Sequence, residues 1–368
     1  MPSRFPAFAA LLGLTCGVSV LAQQAARPPQ ANPTAGTQAL AARITANALR
    51  ADVSFLASDL LEGRDTPSRG LDLAAEYIAS EFRRMGLEPA TGDSFYQAVP
   101  IPARPARSGE RPRDAAAAGQ ANNVVGLLRG SDPVLQDTYV ILSAHYDHLG
   151  LAKSGWAKPG EDRIFNGAND DASGVASVLE IASALAALPR RPKRSVLVIL
   201  YCGEERGLIG SRYYASHPLA PLDHTVAQIN MEQMGRTDSP EGPRLNMMNV
   251  TGFDYSTVAA TLVDAGTAAS IAVVKDAEAS DAYFRRSDNG PLADAGIPAH
   301  TVSVTYEFPD YHKVSDEWQK LDYDNMARVD QAVAMAAWKL ASDATPPQWR
   351  ESNPKTQRFV EAAKKTRP

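Results

Sequence analysis

The stretch Ser195-Val-Leu-Val-Ile-Leu-Tyr201, followed directly by Cys202-Gly203-Glu204-Glu205, decides the fold of this chain. Its uncharged first part predicts a strand that is buried on both faces, as in the centre of a parallel sheet. Two adjacent carboxylates come just after that strand. Because α/β sheets bind ligands at the carboxyl ends of their strands, Glu204 and Glu205 are expected at a binding edge.

Similar apolar runs predict further strands at 123–128, 139–142, 226–229 and 299–304. Apolar residues at helical spacing predict helices at 44–60, 72–85, 174–188, 208–215, 256–265 and 324–341. This alternation of strands and helices predicts an α/β protein, a three-layer α/β/α sandwich with a mixed, mostly parallel central sheet.

Four polar clusters lie at or after the ends of the predicted strands. They are His145-Tyr-Asp147-His148, Asn169-Asp170-Asp171-Ala-Ser173-Gly174, Glu204-Glu205 and Asn230-Met-Glu232. Imidazoles and carboxylates of this kind are the ligands that zinc-like divalent ions take from proteins.

A pair of divalent ions requires carboxylates that balance its charge and a neutral imidazole for each ion. Asp170, Glu205 and Glu232 are the predicted carboxylate ligands, and His145 and His312 the predicted imidazole ligands. Glu204 is suited to accept the proton of the attacking water. The sequence therefore predicts two divalent metal ions, with zinc favoured, and a hydrolase.

Several neighbouring residues have a simpler structural interpretation. His148 is interpreted as a loop residue that forms hydrogen bonds rather than as a third imidazole ligand. The other histidines have no metal-like companions and are assigned to structure: His217, His224 and His300. Arg285 and Arg286 could face a substrate carboxylate, although a solvated turn is favoured, and Trp156 fits the rim of a cleft or a surface anchor equally well.

Composition narrows the class of protein. The chain has 368 residues, of which 44% are hydrophobic and 21% charged, and this is ordinary for a globular protein. A net charge of −5 argues against nucleic acid as a partner. Composition does not predict an oligomeric state, and the substrate class, peptides, is implied only by the family resemblance given below.

The N-terminus resembles a signal peptide, residues 1–22. Arg4 precedes an apolar run from Phe8 to Leu21, and small residues at cleavage-site spacing end at Ala22. The run is too short for a membrane span, and a lipid anchor at Cys16 is disfavoured because Leu-Thr precedes it. We therefore expect export to the periplasm or the outside, which leaves Cys202 as a small apolar filler without a disulfide partner.

The remaining segments suggest one catalytic domain. Residues 23–37 are expected to be a flexible linker, and 38–345 the catalytic domain. Within it, residues 102–120 are expected to form an exposed loop without an inserted domain. Residues 346–368 are interpreted as a solvated C-terminal tail.

The polar clusters resemble the motifs of the co-catalytic zinc peptidases of metallopeptidase family twenty-eight, which includes bacterial leucyl aminopeptidases and glutamate carboxypeptidases. The matching segments are His145-Tyr-Asp147, Asn166-Gly-Ala-Asn-Asp170-Asp171-Ala-Ser-Gly174, Gly203-Glu204-Glu205-Arg-Gly-Leu-Ile-Gly-Ser211, Asn230-Met-Glu232-Gln-Met-Gly-Arg236 and Tyr311-His312. Softer matches, such as Leu61-Glu-Gly-Arg64, extend the resemblance from about residue 50 to 340.

The resemblance implies a role for each matching residue. Asp170 would bridge two zinc ions, with a cis peptide to Asp171. His145 and Glu232 would hold one ion, and Glu205 and His312 the other. Glu204 would act as general base and then acid, and Asp147 would hydrogen-bond the far nitrogen of His145.

The chain departs from the family's pattern at Glu232, where the family usually has aspartate. The longer side chain can still reach a metal through a modest backbone shift, but it changes how the carboxylate binds. The protease-associated domain that many members carry near residues 102–120 is also missing.

Three kinds of function remain open. The resemblance favours a secreted aminopeptidase, with a glutaminyl cyclase that uses one zinc, or a carboxypeptidase acting on C-terminal glutamate, as alternatives. A binding protein without catalysis, like the transferrin receptor, is disfavoured because the ligand positions and Glu204 are present. Tyr311 could donate to the oxyanion or simply pack, and residues 237–290 are expected to supply the substrate pocket.

Overall fold

The computed structural model describes residues 39–103, 118–152, 158, 160–276 and 278–366. The predicted signal peptide, the linker, Trp156 and residues 104–117 of the predicted loop lie outside these ranges. At the end of that loop the prediction is wrong, because Gly119 and Gln120 already belong to a strand. No helix within the described ranges combines the length and apolar character needed to cross a membrane.

The strands are β1 (Glu88–Pro89), β2 (Tyr96–Ile101), β3 (Gly119–Leu128), β4 (Tyr139–His145), β5 (Gly150–Leu151), β6 (Ile164–Phe165), β7 (Ser195–Tyr201), β8 (Thr225–Met231), β9 (Asp238–Ser239), β10 (Gly242–Pro243), β11 (Met247–Val250), β12 (Ala272–Val274) and β13 (Ala299–Ser303). The α-helices are α1 (Ala46–Leu56), α2 (Arg69–Met85), α3 (Ser173–Ala186), α4 (Ile209–Ser216), α5 (Val258–Ala269), α6 (Ala279–Ala282), α7 (Asn289–Asp294), α8 (Tyr323–Ser342) and α9 (Gln357–Thr366).

The main sheet has the strand order β1-β3-β7-β4-β8-β13-β11-β12, and β2 also pairs with β3. Its centre is parallel, since β4 runs parallel to both β7 and β8, and β8 runs parallel to β13. Antiparallel pairs flank this centre, β3 with β7 on one side and β11 with β13 on the other. The predicted mixed sheet with a parallel centre is confirmed.

Strand β7 shows why the fold has three layers. Val196, Val198 and Leu200 face one apolar core, which α1, α2, α3, α5 and α8 cover. The alternating Leu197, Ile199 and Tyr201 face a second core, which contains residues of α4, α7 and α9. A strand buried on both faces thus lies between two helical layers, as the uncharged run 195–201 predicts.

The C-terminal segment corrects one prediction. Instead of a solvated tail, residues from 346 onward contribute Trp349, Phe359 and Val360 to the second core. The Trp349 ring also donates a hydrogen bond from Nε1 to the Gly296 oxygen at 2.9 Å. Most residues of this segment are polar or charged, but Phe359 and Val360 lie on the buried face of α9.

Candidate metal centre

The carboxyl ends of the central parallel strands bring the predicted site residues together. His145 is the last residue of β4, Glu204 follows the end of β7 by three residues, and Glu232 comes directly after β8. Asp170 lies in the turn Ala168–Ala172 that opens α3, and His312 lies in the loop after β13. The peptide bond between Asp170 and Asp171 is cis, as expected.

Two groups of ligand-type atoms share Asp170. In the first, one atom each of His145, Asp170 and Glu232 lie within 4.8 Å of one another, and His145 Nε2 is 3.3 Å from Asp170 Oδ1. Glu232 therefore reaches this group in spite of its extra methylene.

The second group contains a residue that the sequence interpretation set aside. One atom each of His148, Asp170 and Glu205 lie within 4.8 Å of one another. His312 joins the same two carboxylates, with Nε2 at 3.1 Å from Asp170 Oδ2 and 3.3 Å from Glu205 Oε1.

The donor set of both groups fits cations. Within the described part of the chain, several of its buried atoms have no hydrogen-bond partner: His145 Nε2, both ring nitrogens of His148, Asp170 Oδ2, Glu205 Oε1 and His312 Nε2. Buried polar atoms are normally paired. A divalent ion in each group would satisfy all of these atoms except one nitrogen of His148, so the residues fit two ions that share Asp170.

The electrostatics of the site also favour bound cations. Burial raises the pKa of the Glu204 carboxyl well above its usual value, and the nearby Glu232 and Glu205 raise it further. Burial also raises the pKa of Glu232. For His312 burial lowers the pKa, but the carboxylates of Asp170 and Glu205 beside Nε2 outweigh burial and bring the pKa up to about 10. Carboxylates that are crowded and withdrawn from water attract any available positive charge.

Asp147 supports the site differently from the expectation. The Nδ1 atom of His145 lies 3.2 Å from the Asp147 backbone oxygen and 3.7 Å from its carboxylate. The carboxylate instead accepts a hydrogen bond of 3.0 Å from the backbone N–H of Glu204. The backbone contact favours the tautomer that leaves His145 Nε2 free for an ion, and the carboxylate positions Glu204.

Asp171 binds backbone groups. Its Oδ1 accepts hydrogen bonds from the N–H groups of Gly174 at 3.0 Å and Gln233 at 3.1 Å. A Cβ at Gly174 would lie 2.4 Å from this same oxygen and from the Met231 carbonyl, so glycine is required there. The carboxylate ties the turn before α3 to the segment that carries Glu232.

Two further buried residues support the centre and were not predicted. Asp316 accepts hydrogen bonds from the backbone N–H groups of Asn169 and Asp170 at 3.0 and 3.1 Å. Arg64 is 1% exposed and donates to the backbone oxygens of Tyr146 at 2.9 Å and Asn166 at 2.8 Å. Arg64 thus holds the segments around His145 and Asp170 in place. Its only signal in the sequence was the Leu61-Glu-Gly-Arg64 match.

The remaining predictions for histidines are confirmed. His300 is fully buried, with Nδ1 at 2.8 Å from the Thr251 oxygen and Nε2 at 2.6 Å from Ser256 Oγ. His217 and His224 form hydrogen bonds with nearby backbone oxygens. All of these histidines belong to structure rather than to the metal groups.

A cavity of about 260 Å³ adjoins both groups. Its wall includes Asp170, Glu204 and Glu232 on the metal side. The predicted region 237–290 contributes only Thr251, Tyr283, Arg286 and Ser287. β13 and the loop that follows it contribute Thr301, Ser303, Tyr306, Glu307, Phe308 and Tyr311. Substrate therefore has access to Glu204 beside the ligand groups.

Tyr311 and Arg286, for which the sequence left two interpretations open, both line this wall. Tyr311 is 37% exposed, and its ring stacks on the His312 ring with centroids 4.0 Å apart. The Arg286 guanidinium lies over the Tyr283 ring, 4.5 Å from its centroid. Arg286 is exposed, as a solvated turn implies, yet it also faces the cavity.

Comparison with known proteins places this geometry in context. The sequence model described as Peptidase family M28 matches residues 123–337. A probable zinc metalloprotease of Leptosphaeria maculans is 24% identical over 360 residues, which cover 84% of this chain and 77% of that protein.

Solved structures share the fold. A zinc aminopeptidase from Bacillus subtilis superposes with a TM-score of 0.64 at 16% identity, covering 87% of this chain and 99% of that one. The LapA aminopeptidase of Legionella pneumophila gives a TM-score of 0.61 at 20% identity, covering 84% and 75%.

Proposed function

The chain belongs to peptidase family M28, and from that membership we propose that it is a zinc aminopeptidase, which releases N-terminal residues from peptides. The observation that carries this proposal is the cavity whose wall contains Glu204 together with Asp170 and Glu232. A candidate base, two candidate ion sites and space for a substrate thus meet at one place.

Each of the two ligand groups would hold one ion. His145, Asp170 and Glu232 would hold one ion, and Asp170, Glu205 and His312 the other. Bound ions of this kind polarise a carbonyl group and lower the pKa of water. Zinc is favoured because the relative from Leptosphaeria maculans is named a probable zinc metalloprotease and the Bacillus subtilis neighbour a zinc aminopeptidase.

The protein's own residues move the protons. Glu204 accepts the proton of the attacking water and returns it to the leaving amine. Its backbone is fixed by Asp147, so the carboxylate stays directed at the cavity. The Tyr311 hydroxyl donates a hydrogen bond to the oxyanion that forms at the scissile carbonyl.

The cavity supports recognition of a free amino terminus. Its volume of about 260 Å³ lies below the range of roughly 300–1,000 Å³ that accommodates drug-sized ligands, and it suits about one residue of a peptide. Glu204 and Glu232 give its metal side a negative charge, which favours an amino terminus there over a carboxylate.

One observation favours a second candidate, a carboxypeptidase that acts on C-terminal glutamate. Arg286 lines the cavity, where its guanidinium lies over the Tyr283 ring. A guanidinium in this position can bind a substrate carboxylate. A glutaminyl cyclase with one zinc is disfavoured because both ligand groups are present.

Hydrolysis of a small substrate panel tests the proposal. The purified protein would be assayed on leucine and other aminoacyl amides, on N-blocked peptides and on peptides ending in glutamate. Each assay would be run with and without a chelator, and bound metal would be counted on the same sample.

Cleavage of free-amine substrates alone, sensitive to the chelator and with nearly two metal ions per chain, is the expected result. Cleavage of peptides ending in glutamate, abolished in Arg286→Ala, would replace the proposal by the carboxypeptidase. One metal ion with cyclisation of N-terminal glutamine would replace it by the cyclase.

Export belongs to the same proposal. The basis is the predicted signal peptide 1–22, which lies outside the described residues. Mass spectrometry of the protein produced in a bacterial host should find a mature N-terminus at Gln23. An intact N-terminus in the cytosolic fraction would contradict this expectation.

A further inference from the structure

We propose that His148 is a fourth protein ligand of the second ion, beside Asp170, Glu205 and His312. This inference rests on the metal centre of the proposed function but adds a residue that the family's ligand pattern, as matched here, does not contain. It gives the two ions of the centre different coordination.

The first argument is burial without a partner. The His148 side chain is 0% exposed, and neither ring nitrogen has a hydrogen-bond partner in the described residues. Buried polar groups are normally paired, so an imidazole with two unpaired nitrogens lacks a partner. Nδ1 nevertheless lies 2.9 Å from Glu205 Oε1, close enough for a hydrogen bond but not aligned for one. Two ligands of one ion are arranged in this way: their donor atoms are close together, but each points at the ion and not at the other.

The second argument is the spacing of the four side chains. Bonds of about 2.0–2.2 Å in a tetrahedral zinc site place neighbouring ligand atoms about 3.4 Å apart. His148 Nδ1 is 2.9 Å from Glu205 Oε1 and 3.9 Å from Asp170 Oδ2. His312 Nε2 is 3.3 and 3.1 Å from these two atoms. The separations scatter around the tetrahedral value, as those of ligands around one ion do.

The third argument is how the backbone fixes the His148 ring. The N–H of His148 donates to the Arg64 oxygen at 3.2 Å, so the fully buried arginine also anchors this loop. A Cβ at Gly167 would lie 2.4 Å from His148 Cγ. Gly167, with a φ of 58°, therefore makes room for the imidazole beside the turn that carries Asp170.

The consequence is an asymmetric centre. The first ion would have three protein ligands, His145, Asp170 and Glu232, which leaves a position for water and substrate. The second ion would have four, which closes a tetrahedral shell. We therefore expect the second site to fill first when metal is added slowly.

Cadmium NMR of the full chain tests direct ligation. The protein would be labelled with ¹⁵N in its histidines and loaded with ¹¹³Cd²⁺, and one-bond couplings between the two nuclei would be recorded. The chain has six histidines. We expect three of them, His145, His148 and His312, to show a coupling. Because this count needs no substitution, it remains valid even where a variant fails to fold.

Metal affinity gives a second readout. His148→Ala should weaken the more tightly bound zinc by more than about 100-fold, beyond the 10–100-fold that loss of a supporting hydrogen bond costs. The matched control is His224→Ala at an exposed histidine, which should change neither affinity.

The possible results separate this inference from the metal centre itself. Couplings from His145 and His312 alone would overturn it and leave His148 as a positioning residue for Glu205. Failure to bind cadmium or zinc at all would overturn the proposed metal centre. A coupling from His148 would support the four-ligand site whatever substrate the enzyme takes.

Discussion

At the scale of single residues, Glu204 is distinguished by how it is held. Its backbone N–H is fixed by Asp147, whereas its carboxylate lines the cavity and stays outside both ligand groups. Glu205, its neighbour, is drawn into the second group instead. Adjacent carboxylates can thus have different roles, because the backbone after β7 directs one to the ions and the other to the substrate.

The first prediction follows from this difference. Glu204→Gln should lower kcat by about 10²–10⁴-fold while both metal ions stay bound, because the amide cannot accept a proton. Turnover and metal content would be measured on the same preparation. Glu307→Gln, an exposed carboxylate in the same cavity wall, is the control and should retain near-normal kcat. Undiminished turnover by Glu204→Gln would refute the proposed mechanism.

Tyr311 gives a second prediction, because its ring stacks on His312 and lines the cavity. Tyr311→Phe keeps the stacking and removes only the hydroxyl. We expect kcat to fall by about 10²-fold with KM little changed, as on removal of one oxyanion donor. Tyr306→Phe is the matched control. Tyr306 lines the same cavity wall, but its hydroxyl is buried and has no hydrogen-bond partner in the described residues. Equal kcat for both variants would leave Tyr311 a packing residue.

His300 gives a prediction about stability and pH. Burial lowers the pKa of its imidazole to about 4 from the usual 6.5. As the pH falls below 6.5 the unfolded chain binds a proton that the folded chain does not, so stability is complete above pH 6.5 and decreases until about pH 4. The loss should reach about 3 kcal/mol. Chemical denaturation across this range would show it, and His300→Gln should flatten the curve relative to the parent. If the stability of the parent and of His300→Gln changed with pH in the same way, the lowered pKa of His300 would be contradicted.

Single residues also show where sequence interpretation ends. His145, Glu204 and Glu232 could be predicted because each follows a recognisable strand and lies close to it in sequence. His148 could not, because its environment depends on Gly167 and on Glu205, which are distant in sequence. Asp316 binds the backbone of Asn169 and Asp170 across almost 150 residues, and no local pattern reports such a contact.

At the scale of elements, helices and strands differ in how well the sequence predicts them. The strand 195–201 matches β7 residue for residue, because an uninterrupted uncharged run has few alternatives. The predicted helix 44–60 ends early at Leu56, and the chain continues into a 3-10 turn from Asp59 to Arg64. Leu60, the last residue of the predicted helix, is 78% exposed. The apolar spacing of the helix extends to Leu60, but the backbone does not follow it. Gly63 has a φ of 70°, which is not helical, and the chain turns there.

The C-terminal helix α9 supports the next prediction. Phe359 stacks on Trp349 with centroids 4.9 Å apart and packs edge-on against Phe284 at 5.4 Å. Phe359→Ala should lower the free energy of unfolding by about 3–5 kcal/mol, because it leaves a cavity in the second core. Equilibrium unfolding in urea would measure this. Glu361→Ala, an exposed position of the same helix, should change stability by less than about 0.5 kcal/mol. A small effect of Phe359→Ala would restore the interpretation as a solvated tail.

At the scale of the whole molecule, the metal centre concentrates buried negative charge at one edge of the sheet. Burial raises the pKa of Asp171 and Glu232, and raises that of Asp316 to about 6. These carboxylates come from different strands and loops, so their mutual repulsion opposes the folded arrangement as a whole. Divalent ions that bind only the folded chain would offset this repulsion.

The last prediction is that metal removal lowers the stability of the protein as well as abolishing its activity. Each ion that binds only the folded state adds about 4 kcal/mol at a free concentration of 1,000 times its Kd. A chelator should therefore lower Tm and abolish turnover over the same range of free zinc, and added zinc should restore both. Asp170→Asn provides the control, because loss of the shared ligand should already release the ions and leave Tm unaffected by chelator. If the parent lost its zinc without any fall in Tm, the crowded carboxylates would have to be stabilised by the protein alone, and the ions would serve catalysis only.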